Sequence, residues 1–180
     1  YKRQRLTGGV VMAGVGLLDD ARSIPARYKL VIQVAVVLFL IYSGIILDLF
    51  PIHTTWGYLL NAALTILWIV GLTNAMNFID GLDGLATGLA AVISLFMGIV
   101  AFQTAQPFMG WIAIAMLGSC LGFLPYNFRW NKPASIFLGD AGSTFFGFVL
   151  SALAIKLSLI HISEPTRLLS ISYAGFCLKK

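Results

Sequence analysis

The sequence predicts an all-α fold, a polytopic transmembrane helical bundle of about six spans, and three observations support this. Hydrophobic residues make up 59% of the chain and charged residues only 11%, whereas about a quarter of the residues in a soluble domain are charged. The mean hydropathy is +0.90. Apolar segments alternate with short polar stretches, and each crossing of a bilayer needs about 20 mostly apolar residues. The 180 residues are therefore expected to form one helical membrane domain.

Each of the first three apolar segments is followed by residues that favour a helix end or a turn. We expect helices within residues 6–18, 30–47, 58–73, 85–102, 108–124 and 143–157. The first segment ends at an acidic pair, Asp19 and Asp20, and the second ends at Asp48. The third runs into a stretch rich in Asn and Asp, residues 74–84, whose glycines allow the backbone to turn.

The last three segments are bounded in a similar way. A short turn at residues 103–107 separates the fourth from the fifth, and Pro125 should interrupt the fifth near its end. Residues 137–143 lead into the sixth segment, after which the sequence becomes polar and non-periodic. We therefore divide the chain into a transmembrane core, residues 1–157, and a tail, residues 158–180, which we interpret as a non-native or read-through addition of doubtful origin.

Basic residues are distributed unevenly between the connections, and this predicts the orientation. Residues 48–57 and 103–107 contain no Lys or Arg, whereas the alternate connections are basic. Because cytoplasmic connections carry an excess of Lys and Arg, five residues are expected on the cytoplasmic side: Arg22, Arg27, Lys29, Arg129 and Lys132. The stretch at residues 74–84 then faces the cytoplasm, in a chain that crosses the membrane several times. No nucleic-acid-binding motif accompanies the net charge of +5.

Acidic residues are costly in such an apolar sequence, and they indicate a functional site. One Asp at the centre of a bilayer costs about 2.5 to 3.5 kcal/mol on insertion scales. Three acidic clusters, within residues 16–20, 80–84 and 137–143, fall at the predicted cytoplasmic ends of spans. Oxygen ligands without a neighbouring His or Cys favour a hard cation. We expect Mg²⁺, with Mn²⁺ as the alternative.

Helical periodicity separates the roles of neighbouring polar residues. Asn74, Asn77 and Asp80 fall within about 120° of one helix face. Asp19 and Asp20 would point about 100° apart on a continuing helix, so we expect one to act on a substrate and the other on a metal or partner.

Ordinary helix caps and turns are the competing explanation for these residues. The repetition of acidic clusters on one side favours function for Asp83 and Asp140 as well as for the acids already named. Lys29 is a candidate for receiving phosphate charge, as are Arg22 and Arg27, although orientation signals also explain the two arginines. For Asn127, which follows a proline, a site and an exposed turn are equally good interpretations.

The chain resembles the polyprenyl-phosphate N-acetylhexosamine-1-phosphate transferases, a membrane family of the glycosyltransferase 4 type. The resemblance covers residues 6–157. It is carried by residues 16–20 followed by Lys29, Leu30 and Gln33, by residues 74–85, by residues 122–127 and by residues 136–143, all in family order. The sequence from Asn77 to Leu85 is more similar to the branch that uses UDP-N-acetylglucosamine than to the muropeptide branch, which usually has threonine in place of Ile79.

The resemblance implies a role for each candidate residue. Asp19 and Asp20 would be the paired catalytic acids, Asp80 and Asp83 the nucleotide-sugar and active-site acids, and Asp140 a magnesium ligand, with Asp80 as the second candidate ligand. Asn74, Asn77 and Asn127, together with Lys29, would contact the substrates. The family also has earlier spans and a later histidine-rich loop that this sequence lacks, so we expect a fragment that is incomplete at both ends.

The implied reaction transfers N-acetylhexosamine 1-phosphate, and N-acetylglucosamine 1-phosphate in particular, from a UDP-sugar to undecaprenyl phosphate with release of UMP. The resemblance also implies a multi-pass protein of the bacterial plasma (inner) membrane with its active site facing the cytoplasm, where the reaction would initiate cell-wall polymer or surface polysaccharide synthesis. As a protein partner we consider a second copy of the chain, in a homodimer. The alternatives are a phospho-N-acetylmuramoyl-pentapeptide transferase, a fragment of an ion-coupled transporter, and a catalytically inactive scaffold. Acids near the bilayer midplane would favour a transporter, whereas acids gathered at one surface favour the transferase.

Overall fold

A computed structural model describes residues 2–21, 25–130 and 133–163. Within these residues the fold is all-α, as predicted, and contains six helices and no strand. The helices are α1 (Lys2–Ala21), α2 (Ala26–Tyr42), α3 (Thr55–Ile79), α4 (Leu85–Gln103), α5 (Pro107–Asn127) and α6 (Gly139–Ser163). Arg22 and Lys132, two of the predicted orientation signals, lie outside the described residues.

Four helices are long and apolar enough to cross a membrane among the residues described: α3, α4, α5 and the Gly139–Ser158 part of α6. The other two predicted spans form helices that are less suited to crossing alone. The helix α2 has only 17 residues, and α1 carries charged residues at both ends. The prediction of a polytopic helical membrane protein is confirmed, and the number of helices is the expected one.

The helix α6 lies at the centre of the packing. It contacts α1, α3 and α4, while α4 and α5 pack as a close pair. One hydrophobic cluster joins the first three helices to α6 and includes Val37, Ile69 and Phe148. A second joins α3, α4 and α5 to α6 and includes Met76 and Cys120. Because α6 belongs to both clusters, its amino-terminal residues are held at a fixed position among the other helices.

Several helix ends differ from the sequence prediction, and each difference has a local cause. The helix α2 ends at Tyr42 rather than at residue 47, because Gly44 adopts a positive φ of 81° and turns the chain. The helix α3 continues through the Asn-rich stretch to Ile79. The helix α5 passes Pro125 and ends at Asn127, so the proline marks the last turn rather than the end.

The amino-terminal part of the predicted tail is helical. The helix α6 was expected to end near residue 157 but runs to Ser163, and the remaining tail residues, 164–180, lie outside the described residues. The boundary drawn at residue 157 therefore falls inside a helix.

The connection between α2 and α3 is held by two polar residues that the sequence analysis did not single out. Asn61 is fully buried, and its amide accepts hydrogen bonds from the backbone N–H groups of Leu49 and Phe50 and donates one to the Phe50 carbonyl. Thr65 accepts a hydrogen bond from the Leu47 N–H. These bonds satisfy backbone groups that would otherwise be costly to bury near lipid.

Candidate functional site

The three predicted acidic clusters meet at one end of the helical bundle. Asp19 and Asp20 belong to the last turn of α1, Asp80 follows the last residue of α3, and Asp140 is the second residue of α6. The close packing of α6 against α1 and α3 brings these ends together. The prediction that the acids lie on the same side of the bundle agrees with this arrangement.

Lys29, in the first turn of α2, joins two of the acidic clusters. Its ammonium group forms ion pairs with the carboxylates of Asp19 and Asp140, with a distance of 2.6 Å from Nζ to Oδ2 of Asp140. Asp19 is only 8% exposed, and a buried carboxylate is expensive unless a cation pairs with it. Lys29 is therefore the residue that allows these two acids to lie close together.

The second carboxylate oxygen of Asp140 is held by α3. The Asn77 side-chain amide donates to Oδ1 of Asp140 at 2.7 Å and lies 2.9 Å from the Ser143 hydroxyl. Ser143 is fully buried one turn after Asp140. Sequence reasoning selected Asn77 but not Ser143, although a serine three residues after an acid on the same helix was a visible signal.

Asp20 points in a different direction from Asp19, as the helical angle between adjacent residues predicted. Its side chain is exposed, and its two carboxylate oxygens accept hydrogen bonds from the backbone N–H groups of Asp140, at 2.9 Å, and Ala141, at 3.2 Å. Asp20 thus contacts the amino terminus of α6 through the backbone rather than through the side chain of Asp140.

Asp80 lies just beyond the membrane-spanning part of α3, and its surroundings disfavour the charged form. Burial, followed by the negative charges of Asp140 and Asp20, raises the pKa of Asp80 from 3.8 to about 6, although a hydrogen bond from the Gly139 backbone N–H partly opposes this. A cation bound nearby would favour the charged form of Asp80 and oppose both burial and the neighbouring carboxylates.

Two other predicted site residues secure the connection between α5 and α6. Asp83 accepts a hydrogen bond from the Ala134 backbone N–H at 2.9 Å. Asn127 accepts one from the Thr87 hydroxyl at 2.8 Å and donates one to the Ile136 carbonyl at 3.1 Å. Asn127 is only 2% exposed, so of the two interpretations that the sequence left open, the exposed turn does not hold. Its side chain is instead hydrogen-bonded to Thr87 and to the Ile136 carbonyl.

The side chain of Asn74 is hydrogen-bonded to α2 rather than to the acidic residues. Its amide donates to the Gln33 side chain at 2.6 Å and thereby links α3 to α2. Arg27 lies with its guanidinium 5.4 Å from the centre of the Tyr28 ring, and Arg22 is outside the described residues. The structure therefore brings together Asp19, Asp20, Lys29, Asn77, Asp80 and Asp140, and it places Asn74, Asp83 and Asn127 in separate hydrogen bonds.

These acids are better suited to a cation that is bound partly by the substrate than to a cation that is enclosed by protein ligands alone. Among residues 2–21, 25–130 and 133–163, no group of three or more His, Cys, Asp or Glu side chains is arranged to hold a metal ion. Mg²⁺ is commonly held by one or two carboxylates together with water and substrate phosphates. Asp80 and Asp140 are two carboxylates of this kind, and the charge of Asp140 acts on Asp80.

The sequence of the chain is similar to those of known proteins. The sequence model of glycosyl transferase family 4 matches residues 4–158. A probable undecaprenyl-phosphate N-acetylglucosaminyl 1-phosphate transferase of Bacillus subtilis is 36% identical over 180 residues, which is 95% of the chain and 48% of that protein.

Other relatives carry a different name. A phospho-N-acetylmuramoyl-pentapeptide-transferase of Levilactobacillus brevis is 48% identical over 105 residues, which is 56% of the chain and 32% of that protein. One of Streptococcus pneumoniae serotype 2 is 34% identical over 184 residues, covering 88% of the chain and 54% of that protein. The chain spans about half or less of the length of the curated relatives that it matches.

Proposed function

The chain belongs to glycosyl transferase family 4, and from this premise we propose that it carries the catalytic core of an undecaprenyl-phosphate N-acetylglucosamine-1-phosphate transferase. In the proposed reaction, an oxygen of undecaprenyl phosphate attacks the sugar-proximal phosphorus of UDP-N-acetylglucosamine. The bond from that phosphorus to the bridging oxygen breaks, and UMP leaves. The contact that carries the proposal is the joining of Asp19 and Asp140 by Lys29, with Asp80 beside them.

The four carboxylates of Asp19, Asp20, Asp80 and Asp140 outweigh the single charge of Lys29, so two anionic substrates need a bound cation at this end of the bundle. Lys29 holds a positive charge between two carboxylates and can direct it towards a phosphate that approaches the site. Asp80 and Asp140 would hold Mg²⁺, with Mn²⁺ as the alternative. The bound cation would neutralise the negative charge that develops on the phosphates.

The remaining residues orient these groups. Asn77 of α3 donates a hydrogen bond to one oxygen of Asp140. The orientation of the Asp140 carboxylate is therefore set by α3 as well as by its own helix, α6. A phosphate monoester has a second pKa of about 6, so the lipid phosphate is largely ionised at neutral pH. Asp19, which is paired with Lys29, is therefore needed to orient the cationic group more than to remove a proton.

The position of the acids along the helices supports a transferase over an ion-coupled transporter. Each acid of the site lies within the last three residues of α1, directly after α3, or within the first two residues of α6. Transporter sites lie near the bilayer midplane, commonly at broken helices. We propose that this end of the bundle faces the cytoplasm, because Arg27 and Lys29 of α2 and Arg129 after α5 are at the same end.

The experiment that tests the proposal is release of UMP from UDP-N-acetylglucosamine in the presence of undecaprenyl phosphate, Mg²⁺ and detergent. We expect the Asp140→Asn variant to lose release and the Asp48→Asn variant to keep it. Asp48 is a matched control, because it lies in the connection between α2 and α3 at the opposite end of the bundle. Equal release from both variants would contradict the assigned site.

Because the relatives are longer, the assay needs a second arm in which the chain replaces the matching region of the Bacillus subtilis relative. Release by this chimera, lost with Asp140→Asn, would support the proposal even where the chain alone is inactive. A folded chimera without release would contradict it. The names of the other relatives favour a second candidate, phospho-N-acetylmuramoyl-pentapeptide transfer, and UMP release with that muropeptide donor alone would select it.

A further inference from the structure

We propose that Asp20 is a positioning residue, which fixes the amino terminus of α6 and thereby places Asp140, rather than a residue that acts on substrate or metal. The proposal rests on the function proposed above, since it concerns how that site is built. It departs from the assignment of Asp20 as one of a pair of catalytic acids.

The contacts of Asp20 are those of a helix cap supplied from a distant part of the chain. The first N–H groups of a helix have no partner inside the helix, and an acidic side chain there is favoured by both hydrogen bonding and the helix dipole. In α6, the N–H groups of Asp140 and Ala141 donate to separate oxygens of the Asp20 carboxylate. The preceding N–H, of Gly139, donates to Asp80. Asp20 and Asp80, which lie outside α6, thus accept hydrogen bonds from the first three N–H groups of that helix.

The backbone around this junction leaves space for the Asp20 carboxylate. Gly139 has a φ of 71°, and a Cβ atom on it would lie 2.9 Å from Oδ2 of Asp20. Gly16, one turn before Asp20, lies so close that a Cβ would be 2.3 Å from the Ala141 Cα. A Cβ at Gly16 would push the backbone of α6 away from α1, and a Cβ at Gly139 would displace the Asp20 carboxylate. The contact between Asp20 and α6 therefore requires glycine at both positions.

The two adjacent acids of α1 therefore have different tasks. Asp19 is buried and pairs with Lys29, whose ammonium group also holds the Asp140 side chain. Asp20 is exposed and holds the Asp140 backbone. Together they hold Asp140, the candidate metal ligand, by both its side chain and its main chain.

The test compares Asp20→Asn with Asp20→Ala in the UMP-release assay. Asparagine keeps one acceptor oxygen of the two that Asp20 uses, whereas alanine keeps neither. We expect Asp20→Asn to retain activity within about tenfold, with an unchanged pH profile, because a carbonyl acceptor remains. We expect Asp20→Ala to lose about 10²-fold in kcat, the effect of displacing a catalytic group by about 1 Å. For a metal ligand or base, the asparagine variant would be as inactive as the alanine variant, and this result would overturn the proposal.

A second measurement does not depend on activity. Amide hydrogen exchange of the segment that contains Asp140 and Ala141 should become faster in Asp20→Ala, and it should increase less in Asp20→Asn because one acceptor oxygen remains. Gly139→Ala retains every acid but displaces the Asp20 carboxylate, so it should also speed exchange. Unchanged exchange in both Asp20→Ala and Gly139→Ala would overturn the capping contact, whether or not the wild-type chain releases UMP. Absence of UMP release with faster exchange would contradict the proposed reaction and still support the contact.

Discussion

Replacing Gly16 with alanine is the sharpest test of how the site is assembled. The three atoms nearest to an added Cβ all belong to the backbone of α6: Ala141 Cα at 2.3 Å, Ala141 N at 2.7 Å and the Asp140 carbonyl oxygen at 2.8 Å. Since no side chain can rotate away, the two helices must separate by about 1 Å to reach the ordinary contact distance of 3.4 Å or more. Such overpacking typically costs about 1 to 3 kcal/mol.

Gly14→Ala provides the matched control, because Gly14 lies on the same helix and a Cβ there would meet nothing within 4 Å. Both substitutions gain about 1 kcal/mol of helix propensity, so the free energies of unfolding of the two variants should differ by the overpacking cost alone. For a domain of this size, this difference corresponds to about 2 to 12 °C in Tm. We expect Gly14→Ala to be slightly more stable than the wild type and Gly16→Ala to be less stable than Gly14→Ala.

Activity should follow the same pattern for a different reason. The separation moves Asp19 and Asp20 relative to Asp140, and a displacement of about 1 Å at a catalytic group can cost about 10²-fold in rate. Thermal unfolding in detergent and UMP release, each measured for both variants, give the comparison. Equal Tm and equal activity for the Gly14 and Gly16 variants would refute the close approach of α1 and α6.

Three further predictions concern single side chains. Lys29→Gln should lower UMP release by about 10² to 10³-fold, the usual effect of losing one electrostatic group. Lys29→Arg should recover part of the activity because the charge remains. Wild-type activity in Lys29→Gln would show that this lysine does not belong to the site. The pKa of Asp80 is raised to about 6, so the folded chain holds this proton more tightly than the unfolded chain and should gain stability as the pH falls from above 6 towards 4. In Mg²⁺-free detergent, the Tm difference between the wild type and Asp80→Asn should therefore change in favour of the wild type on acidification, and a constant difference would show that Asp80 does not titrate there. Asn61→Ala removes three hydrogen bonds to the backbone of residues 49 and 50. It should lower the free energy of unfolding by about 1 to 3 kcal/mol without changing UMP release per folded molecule. An unchanged Tm would mean that these backbone groups find other partners.

The positions of the helices could be predicted from sequence because apolar length and periodicity are local properties. The six apolar segments correspond to the six helices, and the different directions of Asp19 and Asp20 follow from the turn of one helix. The ends were less accurate where a single residue decides them. Gly44 ended α2 early, whereas Pro125 did not end α5, because a proline in the last turn removes only one of a helix's final hydrogen bonds.

The sequence by itself determined that this is a helical membrane protein with acids at helix ends, since both statements depend on residue type and spacing along the chain. Only the tertiary structure decided which groups are partners. Lys29 meets Asp140 across 111 positions, and Asp20 meets the Asp140 backbone across 120. Asn127, which suited a site or a turn equally well in sequence, became a buried link to Thr87. Such pairings depend on how helices pack, and packing is set by contacts between surfaces that no local pattern contains.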